Sequence, residues 1–182
     1  MQIVQAYLPC RIGLKLNLVL YVPGERVMKM EKFAGGFAIL VAGFWVGGMW
    51  AIGYIAAPVL FQTLTDKSQA GMLAGRLFAV TAWVGMGCAV YLLGFVWFKY
   101  RALVWRRPVF WLIMAMLAIV LLGHFGIQPL LFDLKQQALP QYVMESAYAG
   151  QFGLWHGISS LLYLVESVCG AVLLLKMHAQ LN

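Results

Sequence analysis

The sequence predicts an all-α membrane protein, a four-transmembrane-helix bundle with both the N and C termini cytoplasmic. Three observations predict it. The 182 residues are 63% hydrophobic and only 10% charged, whereas a soluble domain carries about 25% charged residues. Four runs along the chain are long enough to cross a bilayer, for which about 20 apolar residues suffice. The basic residues gather at alternate ends of those runs, as membrane topology requires. The runs must be helical. Unpaired backbone groups cannot face lipid, and strands would need a closed barrel of alternating residues, a pattern these runs lack.

Residues 1–32 form an N-terminal extension unlike the rest. Its apolar stretch, Leu16–Val22, is short and is bounded by Lys15, Pro23 and Gly24. A signal peptide has a longer apolar core and a small-residue cleavage site. Two readings stand: a start of translation at Met28 or Met30, with Gly24-Glu25 encoded by a purine-rich ribosome-binding string, or a short amphipathic segment on the membrane surface. The transmembrane domain then covers 33–175, with spans at 33–60, 71–98, 109–128 and 152–175. Pro129 follows the third span. A short tail, 176–182, ends the chain.

Orientation follows from Lys and Arg placement. One side collects Arg26, Lys29 and Lys32, the loop residues Lys99, Arg101, Arg106 and Arg107, and then Lys176. The other side has Lys67 and Lys135, with Arg76 just inside span two. The positive-inside rule puts the first set in the cytoplasm. Trp97, Trp105 and Trp111 flank the basic loop as interfacial anchors. The reading is a multi-pass protein of a bacterial inner membrane, with the lipid bilayer as its partner. The net charge of +7 is thereby explained, and with no zinc-finger spacing or RNA-binding aromatic motif, nucleic acid is excluded. The cysteines Cys10, Cys88 and Cys169 form no CxxC pair and suggest no disulfide framework.

Gly43 and Gly47 form a GxxxG in span one, and Gly71 and Gly75 another in span two. Such pairs let helix backbones approach closely. They serve either internal packing or, through Gly43 and Gly47, a homo-oligomer.

Polar side chains inside a membrane are costly, so they are the first functional candidates. In span four, His156, Ser159, Ser160, Tyr163, Ser167 and Gly170 recur on one helical face, with Glu166 at its edge. That face points into the bundle. Glu166 stands about 14 positions into the span, near mid-membrane. It reads either as a proton or cation site or as a protonated acid hydrogen-bonded to Ser or Tyr, with Tyr91 and Cys88 as candidate neighbours. His124 and His156 are each about four residues from the outer end of their spans. Their depths match, roughly 6 Å inside the boundary. A shared haem b or copper is one reading and separate neutral histidines the other. Arg76 pairs with Asp133 or Glu145, snorkels outward, or recognises an anion. No GxSxG, HExxH, Walker or dinucleotide motif occurs, so no catalytic residues are assigned.

Trp45-x-Gly47-Gly48, Ala57-Pro58-Val59-Leu60-Phe61, Ala70-Gly71 and Gly75-Arg76-Leu77-Phe78 resemble the bacterial family called domain of unknown function 4149. Phe152-x-x-x-His156-Gly157-x-Ser159-Ser160 is also similar to the eukaryotic transmembrane protein 205 family, which has been linked to cisplatin resistance. The resemblance covers roughly residues 33–175. It implies a four-helix membrane domain of unassigned molecular function. More distantly, the architecture resembles copper-resistance membrane domains. The eukaryotic relatives tend to have Asn where Tyr163 stands, which puts in doubt any site that needs an amide there.

Three functions follow as expectations. The first is handling of an ion, a proton or a small ligand in a polar bundle interior through His156, Ser159, Ser160 and Glu166. The second is a haem- or copper-binding membrane protein using His124 and His156. The third is a non-catalytic structural or assembly subunit.

Overall fold

The computed structural model describes residues 25–179. The start-codon and surface-segment readings of the extension rest largely on residues 1–24, outside the described residues, as do 180–182 of the tail. Two compact units are distinguished, residues 1–37 and 38–182. The described part of the first is helical. The bundle is built in the second.

Six α-helices make up the four long rods. Span one is α1 (Glu25–Trp50), a π-helical turn (Ala51–Ala56) and α2 (Ala57–Thr63) in sequence. Span two is α3 (Lys67–Tyr100), extended by a 3-10 turn at Arg101–Arg106. Span three is α4 (Pro108–Leu121), a second π-helical turn (Leu122–Ile127) and α5 (Gln128–Ala138). Span four is α6 (Ala149–Ala179). All four rods are long and apolar enough to cross a membrane, and among the described residues there is no strand. This is the fold of a multi-pass membrane protein.

Span three departs from expectation. Its helix does not stop before Pro129 but continues to Ala138. Pro58 and Pro129 stand in equivalent places, each two residues beyond a π-helical turn. A proline lacks the N–H that would serve the carbonyl four residues back, and its ring crowds that carbonyl. The wider π turn relieves the crowding, so the helix runs on instead of breaking.

The centre of the bundle is packed by large and small residues in register. Trp45, Val46 and Met49 of α1 meet Leu92 of α3, Ile113 and Met116 of α4, and Leu173 of α6. The close approach is allowed by Gly85, where any Cβ would come 2.6 Å from Trp45 Nε1. Large apolar side chains on the outward faces, such as Leu40, Phe44, Val80, Val90, Leu161 and Leu175, are exposed, as lipid contact requires. Around the basic loop, Trp105 meets Trp97 at 6.0 Å and Trp111 at 6.1 Å between ring centroids. Trp111 Nε1 donates to the Trp105 carbonyl at 3.0 Å, and the Arg107 guanidinium lies 4.4 Å over the Tyr100 ring. Amphipathic rings and cations clustered at a helix end suit a membrane–water interface.

At the opposite end, α2 and α3 are joined by a tight corner. Asp66 caps α3, its carboxylate accepting from the N–H groups of Ser68 (2.8 Å) and Gln69 (3.3 Å). Lys67 Nζ donates to the carbonyls of Phe61 and Leu64 at the end of α2, where a cation is favourable. Asp66→Ala is expected to cost about 1 kcal/mol, read as a lowered midpoint of thermal unfolding in detergent.

Candidate functional site

The sequence-selected polar residues converge on one cavity of about 1040 Å³. Helices from all four spans line it. One end is formed by Lys67, Ser68, Lys135, Gln136 and the segment Tyr142–Met144, the other by Trp45, Met49, Tyr163 and Glu166. The first end lies on the side away from the basic loop, since Lys67 begins α3 and Tyr100 ends it. The second lies in the bundle's core. His156, Ser159, Ser160, Tyr163, Glu166, Arg76 and His124 all line this space. Tyr91 and Cys88, expected as neighbours of Glu166, are not among the residues that line it.

The inner end is organised by hydroxyls. The Tyr163 hydroxyl donates to the Met49 carbonyl. In an unbroken α-helix that carbonyl would accept from the N–H of Gly53, four residues on. Tyr163 therefore intrudes on the backbone ladder of span one just where the π turn begins. Its ring leaves no room for a Cβ at Gly53. Tyr54, also in that π turn, donates to Ser167 Oγ at 2.9 Å, and Ser167 in turn donates to the Tyr163 carbonyl at 2.9 Å. The Tyr163 ring meets Tyr54 at 5.9 Å and Phe78 at 5.5 Å, both edge to face.

These hydroxyl groups are thus committed to one another and to backbone. Glu166 is buried, and among the described residues nothing donates a hydrogen bond to it. The reading of Glu166 as an acid hydrogen-bonded to Ser or Tyr is therefore corrected. Both residue types sit nearby on α6, but their protons point elsewhere.

The outer end is cationic. Lys135 Nζ donates to the Gly71 carbonyl at 3.0 Å. It lies 3.7 Å from where a Cβ would stand on Gly71 and 3.9 Å from one on Gly75. The groove of this GxxxG is filled by a lysine of span three, an internal contact. The same ammonium lies 5.7 Å over the Phe152 ring, and Phe152 stacks on His156 at 5.6 Å. Arg76 is exposed to the cavity. It forms no ion pair with Asp133 or Glu145 among the described residues, and neither acid lines the cavity. Ser160 Oγ donates to the His156 carbonyl of its own helix at 2.9 Å. By contrast, Gly43 and Gly47 of the first GxxxG meet nothing within 4 Å of an added Cβ.

The two histidines share the cavity but not a depth. His124 stands 14 residues before the end of α5, and His156 seven residues after the start of α6. At 1.5 Å per residue they differ by about 10 Å. The expectation of equal depth fails because span three continues past Pro129. His124 packs edge-on against Trp83 at 5.4 Å and Phe125 at 4.8 Å. Its Nδ1 is buried with no hydrogen-bond partner among the described residues. Among the described residues no group of three or more His, Cys, Asp or Glu is placed to hold a metal.

Lys67, Lys135, Tyr54 and Trp45 belong to this site and were not among the site residues chosen from sequence. Trp45 stood in the Trp-x-Gly-Gly motif, the two lysines among the outer basic residues, and Tyr54 carried a signal of its own, a polar ring four residues before an intramembrane proline.

A family model described as "Domain of unknown function (DUF4149)" matches residues 40–140. The chain belongs to this family. The matched segment holds span one from Leu40 onward, spans two and three, both π turns and the Arg76 and Lys135 side of the cavity. The His156–Glu166 wall lies beyond it. No curated protein and no solved structure matches the chain.

Proposed function

We propose that this DUF4149 protein binds a small, anion-bearing ligand in its cavity. The carrying observation is the imbalance of charge in the lining. Among the described residues Lys67, Arg76 and Lys135 line it, against Glu166 as the one acid, and Glu166 is buried. Cations set in a concave, low-dielectric wall focus a positive field into the space. Arg76 is the principal anion group. Among the described residues it has no hydrogen-bond or ion-pair partner, and a guanidinium can engage a carboxylate or phosphate with two parallel hydrogen bonds. Lys67 and Lys135 are each held by backbone carbonyls, so they contribute charge more than contact. Ser159 and Ser160 add hydroxyls on the facing wall. A pocket of this size with a few convergent polar groups is the usual form of a ligand site.

In our reading the basic loop and both ends of the chain lie in the cytoplasm of a bacterial inner membrane, so the cavity faces outward. The Lys and Arg distribution supports this orientation. The proposed similarity to the eukaryotic transmembrane protein 205 family rests on the His156-Gly157-x-Ser159-Ser160 element, which forms a wall of the cavity.

The test is titration of the detergent-purified protein with sodium pentanoate, followed by thermal stabilisation or calorimetry. Saturable binding is expected, weakening as added salt screens the field. Arg76→Gln should weaken it about tenfold or more, a charge-assisted hydrogen bond being worth roughly 1.5–3 kcal/mol. Equal affinity in the wild type and the Arg76→Gln variant would sink the proposal.

A further inference from the structure

The inner end of the cavity has the opposite character to the outer end, and this bears on what the ligand is. Glu166 is 6% exposed and its side chain lines the cavity. The hydroxyls of Tyr163 and Ser167 on the same helix, and of Tyr54, are committed elsewhere. Tyr163 donates to the Met49 carbonyl, Tyr54 to Ser167, and Ser167 to the Tyr163 carbonyl. A buried carboxylate without donors is costly, and the cost falls when a cation joins it. One turn away on α6 stands Tyr163, whose ring meets those of Tyr54 and Phe78, and Trp45 lines the same cavity; aromatic rings attract an organic ammonium through their π faces.

We infer that the inner end binds an ammonium group, so that the ligand of this cavity is a small zwitterion, its anion at Arg76 and its ammonium at Glu166. This rests on the anion site proposed above and adds a second pole to it. A hard metal ion fits less well, because it wants about six oxygen ligands and the floor offers one carboxyl among aromatic rings. A zwitterionic lipid also fits poorly. Its acyl chains would have to fill the deep end, where the charge lies.

The fold also sets a length. α3 and α6 both start at the outer end of the cavity and run inward. Arg76 lies two residues outside Phe78, Phe78 meets Tyr163 at 5.5 Å, and Glu166 lies three residues further in. Five residues of helix separate the two poles by about 7.5 Å along the axis. A ligand with a spacer of several carbons between its charges matches this better than an α-amino acid does. In 5-aminopentanoate the charges are roughly 6 Å apart.

Three probes of similar size test it on the purified full-length protein: 5-aminopentanoate, pentanoate and pentylammonium. Affinities come from calorimetry in one detergent buffer. The wild type is expected to bind 5-aminopentanoate at least about tenfold more tightly than pentanoate, since the second pole adds a charge-assisted contact. In Glu166→Gln that preference should vanish while pentanoate binding persists. Equal binding of 5-aminopentanoate and pentanoate by the wild type overturns the inference and leaves the anion site standing. Failure of both probes to bind overturns the two together. Pentylammonium binding as tight as 5-aminopentanoate removes the anion pole and with it the zwitterion. The wild-type comparison decides the matter even if the Glu166→Gln protein does not fold.

Discussion

Trp45→Ala is expected to lower the unfolding free energy by about 3–5 kcal/mol, the range for removing a large aromatic side chain from a packed core. Trp45 is 2% exposed. It closes the inner end of the cavity and packs on Gly85 of α3, where a Cβ would come 2.6 Å from its Nε1. In a membrane the gain from packing is van der Waals contact rather than release from water, so an unfilled hole is fully felt. The contact has a complementary test. Gly85→Leu alone should cost about 1–3 kcal/mol by overpacking. In the Trp45→Ala background the new leucine enters the vacated space. The double variant should then be more stable than the sum of the two losses, by a coupling of about 0.5–3 kcal/mol. Denaturant unfolding of all four proteins in one detergent measures this. Strictly additive losses would mean that Trp45 and Gly85 do not meet.

Tyr163→Phe is expected to cost about 1–3 kcal/mol, because it leaves the Met49 carbonyl without this donor. The ring volume is kept, so packing against Tyr54, Phe78 and Gly53 stays and the effect isolates the hydroxyl. A local readout accompanies the global one. With the Met49 carbonyl isotopically labelled, its infrared amide band should move to higher frequency in the variant as the hydrogen bond is lost. An unshifted band together with unchanged stability would mean that Tyr163 does not hold span one open at the π turn. The expected loss is smaller than that for Trp45→Ala, since a hydrogen bond is traded and no large cavity is made.

The polar residues that sequence picked out share a cavity because one rule governs them: hydrophilic side chains in lipid-spanning helices turn inward. Helical spacing put His156, Ser159, Ser160, Tyr163 and Glu166 near one face of α6, and that face does line the cavity. Partners were a different matter. Ser and Tyr beside Glu166 look like donors on a helical wheel. The structure shows that the Tyr163 proton goes to the Met49 carbonyl of span one and the Ser167 proton to the Tyr163 carbonyl. Lys135 read as a loop residue because Pro129 looked like a helix stop, and the π turn before that proline removed the reason to stop. The same continuation moved His124 away from the depth of His156.

Composition and periodicity by themselves determined that the described chain has four rods long and apolar enough to cross a membrane. They also determined which face of α6 is polar. These properties are set residue by residue by the cost of exposing backbone and charge to hydrocarbon. Tertiary structure alone decided the rest: that Lys135 fills the Gly71–Gly75 groove, that Tyr163 breaks into the ladder of span one, and that Glu166 is left without a donor among the described residues. Each depends on which atoms of distant helices come within hydrogen-bond reach, and a shift of one helical turn, about 5.4 Å, would change every one of them.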